Sequence, residues 1–454
     1  MRLCVALAAL TGLAGCAPAP GPPSAQRLAT EAAEVPPARE APVRPMPPPA
    51  RANADIARDF LDLAFRLESG RRLPVLTRFE EPITLRLTGR PTPRLAADLD
   101  RLLARLRAEA GLDIRRTASR RAAVTIEAVP RARIRRVLPQ AACFVVPEVS
   151  SLSEYLSLRR GGVTRWGDLE RRARVAVFVP MDASPQETRD CLHEELAQAL
   201  GPLNDLYRLP DSVFNDDNMH TVLTGFDMLV LRAYYAPELS NGMSRAEVAA
   251  RLPALLARLN PAGETVAPAP LARTPAPWVE AIQTALGPGA RPAERRTAAA
   301  RAVRIAEAEG WRDHRLAFAH FALGRVAHTT APAEARAAFR RADRIYAASD
   351  GTALHRAFVG AQLAAYALAD GDPARVRARA AAHLPVAARH ENAMLEATLL
   401  MLRAQALEMQ GRRAEARAAR LDSLERARYG FGSQRAVRAK LREIAALDPS
   451  ASGG

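Results

Sequence analysis

Lysine is almost absent from the sequence. Of the 65 lysine and arginine residues, only Lys440 is a lysine. Aromatic residues are also few, at 5% of the chain, and no stretch interleaves them with arginine as in single-strand nucleic-acid binders. The net charge of +16 raises the question of nucleic acid or anionic lipid, but abundant arginine and alanine are also typical of a GC-rich genome. We interpret the charge as compositional and expect no nucleic-acid partner.

Long hydrophobic runs are absent after the first sixteen residues, so the sequence predicts no membrane-spanning helix in the mature protein. Arg2 and a short apolar run over residues 5–13 are typical of a secretory signal. Leu-Ala-Gly-Cys over residues 13–16 resembles the lipobox of bacterial lipoproteins, which implies cleavage after residue 15 and acylation of Cys16. The alternative is an ordinary signal peptide with a chance cysteine. We predict a signal peptide over residues 1–15 and a lipid anchor on the periplasmic face of the envelope, with Ala17 favouring the outer membrane.

Cysteine is scarce, and each of the four residues has a predicted role. Cys4 would leave with the signal and Cys16 would carry lipid, which leaves Cys143 and Cys191. Two cysteines in an oxidising compartment predict one disulfide, which would contribute about 4 kcal/mol on the chain-entropy account. Two buried thiols are the alternative.

Proline is concentrated in two segments that divide the chain. Residues 16–52 contain eleven prolines and predict a semi-extended linker that reaches at most about 100 Å. A second proline-rich break over residues 261–277 predicts another linker. We therefore expect one folded domain over residues 53–260 and a second over residues 278–448.

The hydrophobic spacing in the first domain changes between helix and strand periods. Apolar and polar residues alternate over residues 83–88, which predicts a half-buried strand, and the apolar run at residues 175–179 predicts a strand buried on both faces. We expect Asn53 to cap the first helix and Gly111 to stop the helix after the first strand. The pattern indicates an α+β domain.

A motif helix within residues 191–243 provides the candidate site. The helix is expected to end at Gly201 in a left-handed conformation. It resembles the active-site helix of zincin metalloproteases, where His-Glu-x-x-His supplies two zinc ligands and a glutamate base. Aligned on the glycine, the ligand positions hold Glu194, Gln198 and Asn204, and the base position holds Glu195.

The resemblance extends beyond the helix. Phe214 lies where metzincins place the methionine of their turn beneath the metal, and Thr224 with Asp227 is expected to form a capping box. The stretch is most similar to a bacterial lipoprotein family known only as domain of unknown function 2927, and the family implies no activity. The matching residues are Glu194, Glu195, Gln198, Leu200, Gly201, Asn204, Asp205, Asp211, Ser212, Phe214, Gly242 and Met243.

The donor chemistry of the aligned positions argues against zinc. Gln198 and Asn204 are neutral amides and poor zinc ligands, whereas catalytic sites use histidine, cysteine or carboxylate. His193 is one residue out of register, and nothing in the spacing requires His220. Oxygen donors would suit calcium or magnesium better. We predict no cofactor and a hydrogen-bonded polar network, with Glu194, Gln198 and Asn204 as the weak candidates for a divalent metal.

The second domain is helical in pattern and contains an internal repeat. The hexapeptide at residues 333–338 recurs identically at residues 414–419, and a related stretch near the midpoint gives a period of about 40 residues. Helix pairs are predicted at 314–328 with 331–348, 353–369 with 372–388, and 393–410 with 412–428. They resemble tetratricopeptide repeats, and an alanine-rich bundle without true repeats is the alternative.

These observations favour an α+β zincin-like domain followed by an all-α helical-repeat domain. We expect an uncharacterised envelope lipoprotein that is non-catalytic and binds a protein or peptide partner through its C-terminal helices. The alternative is a metal-dependent or unorthodox hydrolase of a peptide or cell-wall bond, with Glu195 as general base beside Glu194 and Gln198.

Overall fold

The computed structural model describes residues 46–449, in which an α/β region (46–264) precedes a helical region (276–445). The predicted signal peptide, Cys16 and residues 16–45 of the predicted linker lie outside the described residues. All the described residues belong to one compact unit. Among them, every helix is too short or too polar to cross a bilayer.

A five-stranded mixed sheet forms the centre of the α/β region, in the order β2-β1-β3-β5-β4. Its central strands are parallel, and β4 pairs antiparallel with β5 through Phe144 opposite Phe178. The strands are β1 (Ile83–Gly89), β2 (Ile114–Arg116), β3 (Val124–Val129), β4 (Phe144–Pro147) and β5 (Val175–Pro180).

Helices cover both faces of this sheet. They are α1 (Asn53–Ala64), α2 (Pro93–Ala110), α3 (Arg131–Val137), α4 (Leu152–Leu158), α5 (Pro185–Leu200), α6 (Gly225–Tyr234) and α7 (Arg245–Leu259). On β5, Val175, Val177 and Val179 join the core that contains α1, α2, α5, α6 and α7. Ala176 and Phe178 join the core under α3 and α4. The strand is therefore buried on both faces, as its continuous apolar sequence predicts.

The helical region consists of antiparallel neighbours joined by short turns. Its helices are α8 (Ala276–Leu286), α9 (Pro292–Ala308), α10 (His314–Ala327), α11 (Pro332–Ala347), α12 (Ala353–Ala369), α13 (Pro373–Arg389), α14 (Ala393–Met409), α15 (Arg413–Phe431) and α16 (Gln434–Ala445). Three successive pairs, α10 to α15, agree with the predicted helix pairs to within three residues at each end. The all-α character of this region is confirmed.

Two local predictions differ from the structure. Asn53 is the first residue of α1 rather than its cap, and its side-chain amide donates to the carbonyl of Asn260 at 3.0 Å, which ties α1 to the end of α7. Gly201 follows α5 with φ −168°, which is extended rather than left-handed. Glycine is needed there because a Cβ would lie 3.0 Å from the ring of Tyr234. Gly111 does take the expected left-handed conformation, at φ 69°.

The end of the predicted linker contacts the α/β region. Arg51 forms ion pairs with Asp59 at 3.0 Å and with Asp211 at 2.7 Å. Gly225 lies against the backbone of Pro47, and a side chain at position 225 would collide with that carbonyl. Residues 47–51 are thus part of the folded structure.

Candidate functional site

Helix α5 carries the motif and is fixed at its start by its cap and a disulfide. Ser184 accepts a hydrogen bond from the backbone N–H of Glu187 at 3.2 Å, and Pro185 occupies the first turn. Cys143 and Cys191 form the predicted disulfide, with their Cα atoms 5.9 Å apart. Because Cys143 directly precedes β4, the bridge joins the motif helix to the antiparallel edge of the sheet.

A buried arginine satisfies the other end of α5. Arg172 donates to the carbonyl oxygens of Gln198 at 2.6 Å and of Ala199 at 2.7 Å, and also to the carbonyl of Gly201. Its guanidinium lies 4.9 Å from the ring centroid of Trp166. The last carbonyls of a helix have no partner within it and carry partial negative charge. A single cation therefore stabilises the turn where the motif helix ends.

The four motif positions do not converge on one point. Glu195 and Gln198 are each only 6% exposed, and Glu194 is half-buried. Asn204 turns away, because its amide donates to the backbone carbonyl of Asp62 in α1 at 3.0 Å. The side chain at the third aligned ligand position thus forms a structural hydrogen bond to a neighbouring helix.

Other carboxyl groups meet Glu194 instead, and we call Glu68, Glu194, Glu195 and Asp205 the carboxyl cluster. Glu68 follows α1 in the chain and is exposed, and its charge contributes to raising the pKa values of Glu194, Glu195 and Asp205. No sequence signal marks Glu68 as part of the site. Asp205 was visible in the family pattern next to Asn204, but the zincin alignment assigned it no role.

Burial governs the protonation of the carboxyl cluster. Loss of water contact, followed by the charges of Glu68 and Asp216, raises the pKa of Glu194 to about 8. Burial and the neighbouring carboxylates raise the pKa of Glu195 well above its ordinary value. The pKa of Asp205 is raised well above its ordinary value for the same reasons. Several carboxyls that share a poorly solvated site cannot all ionise at neutral pH. Some carboxyls of the cluster are therefore protonated at neutral pH.

The two histidines near the motif are engaged elsewhere. His193 Nδ1 accepts a hydrogen bond from the backbone N–H of Leu223 at 3.1 Å, and burial lowers its pKa well below the usual value. His220 Nε2 lies 3.0 Å from the carbonyl oxygen of Pro210. Its ring packs against the rings of His355 and His390, with centroids 5.8 and 5.2 Å away. His193 therefore holds the backbone at Leu223, and His220 holds the backbone at Pro210 and contacts the helical region.

The turn after the motif helix is organised by Asp227. Its carboxylate accepts from the hydroxyl of Ser212 at 2.5 Å, from the backbone N–H of Val213 at 3.1 Å and from that of Thr224 at 2.7 Å. Thr224 and Asp227 form the predicted capping box of α6. Phe214 is fully buried in the core. The segment at the metzincin-turn position is thus held by hydrogen bonds to one buried aspartate.

The helical region contacts the segment that follows α5. The ring of Tyr207 meets Trp278 of α8 edge-on, with centroids 5.0 Å apart, and its backbone carbonyl lies 2.7 Å from His314 Nε2. Asp217 pairs with His355 of α12 at 2.7 Å. At the start of α5, the side-chain oxygen of Gln186 accepts from the backbone N–H of Met394 at 2.8 Å. The motif helix therefore lies between the sheet and the helical region.

The donors do not fit a zinc site. Within residues 46–449, no three histidine, cysteine, aspartate or glutamate side chains are grouped so as to hold an ion. At the motif itself, the available groups are carboxyls and the amide of Gln198, which is a poor zinc ligand.

Comparison with known proteins finds a match to a family model. No curated protein and no solved structure matches the chain. Residues 53–254 match the family model described as a protein of unknown function, DUF2927, which supports the family that the motif pattern resembles.

Proposed function

We propose that the protein is a non-catalytic lipoprotein of the bacterial envelope. In this proposal a zincin-like domain without a zinc site is joined to helical repeats that bind a protein or peptide. The zincin likeness is supported by the position of α5, which follows the sheet as the active-site helix does in zincins. This is an analogy of fold, and it brings no activity with it.

The observation that carries the non-catalytic assignment is the carboxyl cluster around α5. A general base must be ionised to take a proton, whereas burial and neighbouring carboxyls favour the protonated form of Glu195. The position of the third zinc ligand holds Asn204, which is committed to the Asp62 carbonyl. Neither the metal ligands nor the base of a zincin is therefore available in the form that hydrolysis needs.

Metal analysis and activity assays test this assignment together. Protein purified without chelator is analysed for bound metal and assayed on peptide and peptidoglycan substrates, beside Glu195→Ala and the exposed control Glu170→Ala. We expect no turnover in any of the three proteins. Metal-dependent turnover that Glu195→Ala abolishes and Glu170→Ala retains would establish the hydrolase alternative instead.

The proposed binding function is supported by a cleft in the helical region. Helices α11, α12 and α13 border a cleft of about 90 Å³ that is lined by Arg336, Arg340, Tyr366, Asp370 and Arg379, among others, and Arg336 is paired there with Asp370. Within the described residues the Tyr366 hydroxyl is buried without a hydrogen-bond partner. A buried hydroxyl beside guanidinium groups suits a carboxylate or carbonyl of a bound peptide.

Peptide arrays test the binding role. We expect acidic peptides to bind more tightly than neutral ones, and Arg340→Gln or Tyr366→Phe to weaken that binding several-fold. The exposed arginine variant Arg413→Gln is the matched control. Equal binding of acidic and neutral peptides by all variants would remove the support that the cleft gives to the proposal.

A further inference from the structure

A second surface lies on the other side of the sheet from α5, and its arginines are unpaired. The side chains of five exposed arginines, in α3 and just after α4, have no ion pair or hydrogen bond within the described part of the chain. These are Arg133, Arg135, Arg136, Arg159 and Arg160, and we call them the basic face.

Packing places α3 and α4 in one layer. Ile134 of α3 and Leu152 of α4 join the same buried core with Phe178 of β5. The ring of Tyr155 lies 5.7 Å from that of Phe144, which fixes α4 over the β4 edge. Both helices therefore cover the same side of the sheet, and their outward residues form part of one surface.

The local charge of this surface is not balanced. Residues 131–165 contain seven arginines and two acidic residues, Glu148 and Glu154. Glu154 is already paired with Arg174 at 2.8 Å. An open cavity of about 490 Å³ beside α3 is lined by Arg131, Ala132, Arg135, Arg136 and Asp182.

Some surface arginines of the helical region have acidic partners. Arg336 pairs with Asp370 at 2.7 Å, and Arg412 pairs with Glu415 at the same distance. Other exposed arginines there, such as Arg301 and Arg304, are unpaired within the described part of the chain. The basic face is therefore distinguished by the apolar side chains that accompany its arginines and not by unpaired charge alone.

Exposed apolar side chains accompany the arginines. Leu138, Leu156 and Val163 are 40%, 40% and 52% exposed, and they are half of the six large apolar residues exposed in the described part of the chain. Arginine beside exposed leucine and valine is the composition that binds at the interface of an anionic bilayer, where phosphates meet acyl chains.

We infer that the basic face docks on the surface of an anionic lipid bilayer. The guanidinium groups bind headgroup phosphates, and Leu138, Leu156 and Val163 enter the interfacial layer. The inference goes beyond the proposed function and depends on neither the peptide cleft nor the carboxyl cluster.

Vesicle sedimentation tests the basic face directly. The chain from Ala17 onward, which contains every described residue, is mixed with phosphatidylcholine vesicles that contain or lack phosphatidylglycerol. We expect binding only with phosphatidylglycerol, and weaker binding as salt is raised. The triple variant R133Q/R135Q/R136Q should lose at least about tenfold in partition coefficient, since each arginine near the surface contributes about fivefold.

A matched variant separates the local surface from overall charge. R413Q/R435Q/R438Q removes the same charge from exposed positions of the helical region and should keep the partition coefficient within about twofold of the unmodified chain. Equal losses in both triple variants would overturn the inference, because overall charge would then explain the binding. It would also be overturned if the chain bound inorganic phosphate by calorimetry but showed no preference for phosphatidylglycerol vesicles.

Discussion

The α/β region and the helical region are stabilised by different means. The α/β region buries many charged side chains, including Asp59, Arg105, Arg172, Arg208 and Asp227. Between residues 276 and 449, the buried acidic and arginine residues of the described chain are Arg315 and Asp448. The core of the helical region consists instead of alanine, leucine and other apolar side chains with several aromatic rings. Buried charges make one region depend on particular partners, while the other depends on close helix contacts.

This difference determines what each region tolerates. A buried charge that loses its partner costs the full desolvation of that group. A helix contact built from alanine and glycine loses stability when a larger side chain forces the helices apart. We therefore expect the α/β region to be most sensitive to loss of a charged partner, and the helical region to be most sensitive to an enlarged side chain.

Breaking the disulfide is expected to have the largest effect, and it acts on the α/β region. Cys143→Ser or Cys191→Ser should destabilise the protein by about 4 kcal/mol, because the bridge closes a loop of 48 residues. Urea unfolding of the variants, and of the unmodified protein with and without reductant, measures this loss. A variant that unfolds at the same urea concentration as the oxidised protein would show that the bridge contributes nothing.

Removal of the arginine that caps α5 comes next. Arg172→Ala leaves the carbonyls of Gln198, Ala199 and Gly201 without their donor in a buried site, and we expect a loss of about 3 kcal/mol. The neighbouring Arg171 is exposed, so Arg171→Ala should change stability by less than about 0.5 kcal/mol. Thermal unfolding of the pair measures the difference, and equal losses would contradict the assigned role.

Substitution of Gly324 tests the close helix contacts of the helical region. A Cβ at this position in α10 would lie 2.7 Å from the ring of Phe339 in α11, so Gly324→Ala should cost about 2 kcal/mol despite alanine's higher helix propensity. The double variant Gly324→Ala/Phe339→Leu should recover part of this loss, because leucine leaves more room. A stabilised single variant would show that the helices separate easily and that their contact is loose.

The smallest predicted change is a gain in stability. The pKa of Glu194 is about 8 in the folded protein, above its value in an unfolded chain, so folding favours the protonated form. Stability is then greatest in acid and falls as the pH rises from about 4.5 to 8. Glu194→Gln should reduce that fall and stabilise the protein at pH 8 by about 1–2 kcal/mol. The exposed control Glu81→Gln should not change the dependence, and a pH profile of urea unfolding that is the same for all three proteins would contradict the pKa assignment.

How much the sequence predicts also differs between the regions. The helices α10 to α15 follow from periodicity and from the glycines and prolines at their ends, since these signals are local. The strands near residues 83 and 175 and the Cys143–Cys191 bridge could equally be predicted from the sequence. Arg172 and Glu68 were not, because their partners on α5 are distant in sequence and no spacing rule connects them. The zincin alignment likewise placed Asn204 in the site, whereas tertiary contact directs it to α1.

The central claim is that α5 carries a neutral polar network in place of a metal site. The protonation state of Glu195 tests this claim most directly. Carboxyl carbon shifts of protein labelled at glutamate can be followed by NMR between pH 4 and 9, with Glu195→Gln to assign the signal. We predict that Glu195 is still protonated at pH 7, because burial and the neighbouring carboxyls disfavour its charge. A Glu195 signal that titrates near the ordinary value of about 4.3 would contradict the account, since that carboxylate would be ionised and free to act as a base.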